Sequence, residues 1–226
     1  MAAGEPVSGI VFDLDGTLAD TIADIGGAVN ATLAARSLPV FPIEDFKLMV
    51  GDGFAVLIRK ALPAALAADI RFFETILAEA LSRYQADYLR TTKPFPGVAE
   101  LLSELSRSGI ICAVLSNKPQ DMSRAIVRAL FPGIPFLAIL GERPGVPRKP
   151  DPTSALDIAR MAGIRPESWG FIGDSGIDMH TAIGAGMRAW GASWGYRSAA
   201  ELLEAGAEAL FASPADLLIS LRKGPV

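Results

Sequence analysis

The sequence predicts an α/β protein: a doubly wound, Rossmann-like parallel sheet with helices on both faces and a helical segment inserted after the first strand. Three observations predict it. An apolar run, Gly9-Ile10-Val11-Phe12, arrives at Asp13-Leu14-Asp15-Gly16-Thr17, which is the pattern of a buried strand opening into a polar loop. From Ala19 to Thr92 no convincing strand is found, and apolar residues recur at helical spacing. From Lys93 onward, short apolar runs alternate with amphipathic stretches, the order that builds a parallel sheet. The expected division is residues 1–18 and 93–226 as the α/β core and 19–92 as a helical cap.

Composition narrows the function classes. The chain has 226 residues, half of them hydrophobic and 20% charged, enough to bury a sizeable core without resembling a disordered chain. No apolar run approaches the roughly 20 residues that span a bilayer, and the N-terminus lacks the basic-then-apolar pattern of a signal peptide. A cytoplasmic protein without a membrane partner is the expectation. A net charge of -4 with no basic block argues against nucleic acid as the main partner. Cys112 is the only cysteine and sits in an apolar run, so it reads as an inert core thiol. His180 is the only histidine, which excludes histidine-based triads and multi-histidine zinc sites and leaves it a helix-surface residue.

In the inserted segment, Ile22, Ile25, Val29 and Leu33 form the stripe of a helix over 21–36, stopped by Pro39 and Pro42. A short helix over 43–50 follows. Gly51-Asp52-Gly53 breaks the pattern before a third helix over 54–62, and a longer one covers 66–89. Past a Pro94-Phe95-Pro96-Gly97 turn, helices are expected over 98–107, 119–130, 152–162, 179–185, 199–205 and 215–221. Strands are expected over 110–115, 136–140, 169–172, 188–192 and 207–211.

In such a sheet, ligands gather at the carboxyl ends of the strands where strand order reverses. The polar residues fall at those ends. Strand one delivers Asp13 and Asp15, whose two-residue spacing projects both side chains to one side. The second sheet strand delivers Ser116, Asn117 and Lys118, the loop Pro147-Arg148-Lys149-Pro150 brings Lys149, and the strand near 172 delivers Asp174 and Asp178. Gly16 lets the backbone approach a ligand closely, and Thr17 adds a hydroxyl and an N–H facing the same space. Several carboxylates with a lysine and a hydroxyl suit metal-assisted phosphoryl transfer, with Mg²⁺ the expected cofactor. One carboxylate can attack phosphorus, and a second can protonate the leaving oxygen and then activate water.

At these residues the chain resembles the haloacid dehalogenase superfamily of aspartate-nucleophile phosphatases. Asp13-Leu14-Asp15-Gly16-Thr17, Ser116-Asn117, Lys149-Pro150 and Gly173-Asp174-Ser175-Gly176-Ile177-Asp178 match its four motifs in order. The resemblance implies Asp13 as nucleophile and Asp15 as acid/base. It places Ser116 and Lys149 on the phosphate, and gives Mg²⁺ to Asp13, the Asp15 carbonyl and Asp174, with Asp178 in support. It also implies a helical cap between the first two motifs. Gly51-Asp52-Gly53, Phe95-Pro96-Gly97-Val98, Leu115-Ser116-Asn117-Lys118-Pro119 and Trp194-Gly195-Tyr196-Arg197 are similar to the phosphoglycolate phosphatase group. Arg143-Pro144-Gly145-Val146 departs from the aspartate-containing pattern expected ahead of the lysine motif.

By that resemblance the partner is a small phosphorylated metabolite, and the chain acts as a monomer or homodimer. The loop Gly51-Asp52-Gly53 is expected to reach over the substrate's far end, with Lys118 or Arg59 as a cation for its carboxylate. Relatives on the same core remain as alternatives: mutases, pyrophosphatases, sugar or nucleotide phosphatases, and phosphonate hydrolases. Thr17 favours hydrolysis over the mutase pattern, and Asp15 speaks against a dehalogenase. A phosphonate hydrolase needs a cap lysine for a Schiff base, and Lys47 and Lys60, the only candidates, read as surface residues. A non-catalytic phospho-ligand-binding module is the alternative from another class.

Overall fold

The computed structural model describes residues 7–222. The outer ends of the expected core, 1–6 and 223–226, lie outside the described residues. Strand β1 (Gly9–Phe12) is buried along its whole length, because side chains on both of its faces meet helices. The chain then forms a two-residue strand β2 (Ala19–Asp20) and helix α1 (Ile22–Ala34). A 3₁₀ turn (Ile43–Asp45) leads into α2 (Phe46–Met49), and α3 (Phe54–Ala61), α4 (Ala64–Ala68) and α5 (Ile70–Asp87) follow. A return strand β3 (Lys93–Pro94) pairs antiparallel with β2.

The alternating half then begins. It runs α6 (Val98–Arg107), β4 (Ile111–Pro119), α7 (Gln120–Leu130), β5 (Ile139–Glu142), α8 (Thr153–Ala162) and β6 (Trp169–Gly173). It closes with α9 (Gly176–Ala185), β7 (Arg188–Ala192), α10 (Ala199–Glu204), β8 (Ala209–Phe211) and α11 (Pro214–Arg222). The sheet order is β5-β4-β1-β6-β7-β8, with every adjacent pair parallel. β1 is therefore central, and strand order reverses between it and β6, which makes the carboxyl ends of those two strands the switch point.

Each layer has its own core. Helices α6, α7 and α11 place Leu101, Leu102, Leu105, Ile126 and Leu217 against Ile10, Phe12 and Val114 on one sheet face. Helices α8, α9 and α10 place Ile158, Met179 and Leu202 against Val11, Ala113 and Phe171 on the other. The inserted helices pack around a separate cluster of Val29, Leu33, Phe46, Ile58, Ile76 and Tyr84, which Met122 of α7 joins and Tyr196 packs against from the sheet layers. Among the described residues, no helix is long and apolar enough to cross a membrane.

Several elements differ from expectation, each for a local reason. The segment 19–92 is not free of strand: β2 and β3 zip the chain's exit to its return, and two-residue strands carry no readable period. The long helix expected over 66–89 breaks at Asp69, whose carboxylate accepts a hydrogen bond from the Phe72 N–H and caps a fresh helix. β4 runs on through Ser116-Asn117-Lys118-Pro119 instead of ending at 115, and β5 starts three residues late, pairing Ile139 and Leu140 with Val114 and Leu115 and Glu142 with Pro119 of the extension. α9 begins at Gly176, which moves Asp178 from a loop into a first helical turn. As expected, His180 is exposed and Cys112 buried, with burial pushing the Cys112 thiol up to about 12.

Candidate active site

The carboxyl end of β1 delivers Asp13, whose N–H donates to the Ile172 carbonyl of β6 (2.9 Å), so the two strands hold its backbone rigidly. Its neighbours arrive on other strand ends. Asp174 follows β6, Asp178 stands in the first turn of α9, and one oxygen from each of Asp13, Asp174 and Asp178 falls within 4.8 Å of the others. Lys149 reaches in from the loop after β5. Its Nζ lies 2.7 Å from Asp13 Oδ1 and 2.7 Å from Asp178 Oδ1, and all four residues are buried.

Three carboxylates against one ammonium leave this cluster short of positive charge, and the acidities record it. Burial, with Asp178 close by, pushes the Asp13 carboxyl up to about 7 despite the Lys149 contact. Asp174 is also held well above the usual carboxylate range by burial and by Asp13 and Asp178. Burial works against the Lys149 ammonium, but Asp13 and Asp178 outweigh it and hold its pKa above the ordinary lysine range. Oxygen donors only, all buried and with a single ammonium among three carboxylates, fit a hard divalent cation. Asp178 is otherwise engaged: its second oxygen accepts from the Ser175 N–H and hydroxyl, closing a capping box on α9.

Asp15 stands apart from that cluster. Its carboxylate pairs with Lys118 Nζ at 2.8 Å and accepts from the Thr21 hydroxyl at 2.6 Å. Lys118 lies over the Tyr84 ring of α5, 4.8 Å from its centroid, so a core strand and an inserted helix meet there. Gly16 turns the chain just after Asp15 with φ +86°, where a Cβ would fall 2.1 Å from Asp174 Oδ2; only glycine fits. Ser116 is buried at the cavity wall, and its Oγ accepts from the Lys118 N–H.

The cavity above these groups has a volume of about 40 Å³. Asp13, Asp15, Ser116, Lys118 and Asp174 form its floor, while Gly51, Gly53, Phe54 and Leu57 of the inserted segment form its roof. Some residues expected on the substrate are used otherwise. Asn117 is a strut: its amide donates to the Gly51 and Lys149 carbonyls and its Oδ1 accepts from the Lys149 N–H. Asp52 does not line the cavity and pairs with Lys60 at the surface (2.7 Å). Arg59 also turns away, its guanidinium stacked 4.1 Å over Phe73. Thr17 is buried with its hydroxyl unpartnered among the described residues, and its carbonyl accepts from the Trp194 indole N–H.

Tyr196 and Arg197 also line the cavity without a role assigned from the sequence, and Lys47, expected at the surface, lines it while pairing with Glu44. Arg197 meets main-chain carbonyls, while Tyr196 meets the Asp174 and Asp20 carboxylates and the Thr21 N–H, partners distant in sequence that spacing does not reveal.

A model of the haloacid dehalogenase-like hydrolases matches residues 10–192, from β1 to the end of β7. The chain belongs to that family. It is 35% identical over 212 residues to phosphoglycolate phosphatase 1 of Pseudomonas aeruginosa, an alignment covering 90% of this chain and 78% of that one. Among solved structures, a predicted phosphoglycolate phosphatase from Haemophilus somnus superposes with a TM-score of 0.87 at 27% identity, covering 94% of this chain and 97% of that one. CbbY from Rhodobacter sphaeroides, solved in complex with phosphate, matches with a TM-score of 0.77 at 27% identity, over 93% and 96% of the two chains.

Proposed function

We propose that the chain is a phosphoric monoester hydrolase that passes the phosphoryl group of a small ester to Asp13 and then to water, with 2-phosphoglycolate its preferred substrate. The observation that carries the reading is the buried Asp13-Lys149-Asp174-Asp178 cluster at the sheet's switch point, beneath a cavity of about 40 Å³. That space holds roughly three waters. It is smaller than any phosphate ester, so the roof must lift for substrate, and a compact ester displaces it least.

The residues divide the work. Asp13 forms the bond to phosphorus as the ester oxygen leaves, and Asp15 gives that oxygen its proton. Asp15 then takes a proton from water, whose oxygen attacks the phosphorus of the aspartyl-phosphate and returns Asp13 as a carboxylate. Lys149 and the Ser116 hydroxyl hold phosphoryl oxygens, so charge that develops there meets donors already in place. Asp13, the Asp15 carbonyl and Asp174 would hold Mg²⁺, with Asp178 fixing Lys149 and supporting the set; the ion supplies positive charge against the phosphoryl oxygens. Lys118 at the cavity wall and the N–H groups of Gly51 and Gly53 would meet the substrate carboxylate.

Residues 19–92 act as the cap in this reading, and its separate core and paired strands at the junction suit a unit that moves as one piece. The relatives named phosphoglycolate phosphatase support the substrate, and the phosphate-bound CbbY neighbour supports the phosphoryl site. The experiment is a rate comparison of 2-phosphoglycolate, a hexose phosphate, a nucleoside monophosphate and pyrophosphate with Mg²⁺. Phosphoglycolate should lead in kcat/KM. A sugar phosphate or pyrophosphate in first place would overturn the substrate and leave the chemistry standing.

A further inference from the structure

The segment Trp194-Gly195-Tyr196-Arg197, after β7, takes no part in the chemistry above, yet it touches the turn after β1, Asp174, the junction and the roof. The Trp194 indole N–H donates to the Thr17 carbonyl at 2.9 Å, which ties the segment to the turn after β1. Gly195 is pressed onto that turn so closely that a Cβ would lie 2.2 Å from Asp174 Cβ and 2.4 Å from the Gly16 carbonyl oxygen. The Tyr196 N–H donates to Asp174 Oδ2 at 2.7 Å. Its phenol accepts from the Thr21 N–H (2.9 Å) and donates to Asp20 (3.1 Å), at the strand where the chain leaves the sheet for the helices. Arg197 Nη2 donates to the carbonyls of Leu48 and Val50, both at 3.1 Å. Those carbonyls close α2 and lead into Gly51-Asp52-Gly53, the roof of the cavity.

We propose that residues 194–197 form a latch linking occupation of the Asp13-Asp174-Asp178 cluster to closure of the helical layer, with Arg197 as the positioning residue. Four consecutive residues hold the metal-side carboxylate, the junction and the roof, so a shift of Asp174 moves the backbone that carries Arg197. The guanidinium meets the Leu48 carbonyl in the last turn of α2 and the Val50 carbonyl just past it, groups that a helix end leaves without an intrahelical partner. Its two contacts cross from the sheet layers to the inserted helices, so they exist only while the roof is down. Their strength is modest for a charged donor, which suits a contact that must break at each product release.

The proposal rests on the reading of residues 19–92 as a cap over a metal-assisted phosphatase site. Its test is amide hydrogen exchange over residues 48–53, free and with Mg²⁺ plus inorganic phosphate, in the parent and in Arg197→Met, with Arg197→Lys as the conservative partner. In the parent, Mg²⁺ and phosphate should slow these amides about tenfold, within the range usual for coupled sites. In Arg197→Met the slowing should fall below about threefold, and the affinity for Mg²⁺ with phosphate, read by calorimetry, should drop by the same factor, because coupling is reciprocal. Arg197→Lys should recover part of both. A purely structural arginine would speed exchange equally with and without the ions, leaving the ratio unchanged, and that result overturns the latch.

If Arg197→Met does not fold, Tyr196→Phe reads the same coupling at the Thr21 amide, which should lose its response to the ions; a retained response there overturns the latch. Should the parent hydrolyse esters and bind Mg²⁺ while its 48–53 amides ignore the ions, the latch is wrong and the phosphatase reading stands. Failure of the parent either to bind Mg²⁺ or to hydrolyse any ester removes both.

Discussion

Asp13 sits where a nucleophilic carboxylate needs help: buried, beside two other carboxylates, with one lysine between them. Asp13→Asn keeps the shape and hydrogen-bonding capacity of the side chain but removes its ability to attack phosphorus. The expected result is a folded protein, unchanged in circular dichroism, with kcat lowered by at least about 10³-fold. Activity within tenfold of the parent would reject Asp13 as the attacking group.

The raised acidity of Asp13 also carries a stability consequence. Between its unfolded value of 3.8 and its folded value of about 7, the metal-free folded protein holds a proton that the unfolded chain has released. Stability from this group is therefore fully present below pH 4 and is lost as pH rises through about 7. A divalent cation answers the exposed charge, and it binds better once the proton has gone. Thermal melts with chelator and with Mg²⁺ should show a larger Mg²⁺-dependent rise in Tm at pH 7.5 than at pH 5. An equal rise at both would contradict the electrostatic account of the cluster.

At the scale of elements, the turn after β1 and the paired junction strands decide whether these residues meet. Gly16→Ala meets two obstacles, a φ of +86° and an Asp174 carboxylate where the methyl would stand. Asp174 has no slack, being held by the Tyr196 N–H, so Mg²⁺ affinity should fall at least about tenfold while the fold persists. Calorimetric titration checks it, and an unchanged affinity would show that the turn yields instead.

The junction has a clasp of its own. Asp24 in α1 is buried and accepts from the N–H and hydroxyl groups of both Thr91 and Thr92, just before β3. Burial opposes its charge, but those hydrogen bonds outweigh it and lower its pKa. A depressed carboxyl contributes stability above its unfolded value and loses it as pH falls through the folded one. Asp24→Asn should cost about 1–3 kcal/mol in urea melts at pH 7, with the difference shrinking in strong acid. A loss that ignores pH would assign the effect to packing.

The elements also mark where sequence reasoning stops. Strands buried on both faces and amphipathic helices announce themselves by apolar spacing, which is why the sheet and its helices were legible along most of the chain. β2 and β3 were not, because two residues hold no period and the pairing partner lies more than 70 residues away. The helix expected over 66–89 was one apolar pattern interrupted by a cap, and the pattern outweighed the cap.

For the molecule as a whole, Asp13, Ser116, Lys149, Asp174 and Asp178 were legible because strand ends in a parallel sheet share one rim, so order along the chain becomes proximity in space. Residues whose roles depend on how a side chain leaves its element were not. Asp52 and Arg59 were expected at the substrate but face Lys60 and Phe73, and Asn117 braces Gly51 and Lys149. Arg197 works through carbonyls, which no sequence pattern distinguishes.

The central claim is that Asp13 carries the phosphoryl group between substrate and water. The most direct measurement is to quench the protein with acid during turnover of 2-phosphoglycolate with Mg²⁺, reduce it with borohydride and identify the modified residue by peptide mass spectrometry. An aspartyl-phosphate at Asp13 predicts conversion of residue 13 to homoserine, dependent on substrate and on Mg²⁺, and in Asp15→Asn the label should build up with an aryl or acyl phosphate, whose leaving group needs no proton, because breakdown by activated water is slowed. Turnover proceeding with residue 13 unmodified in both proteins, or with the label on another carboxylate, would contradict the account.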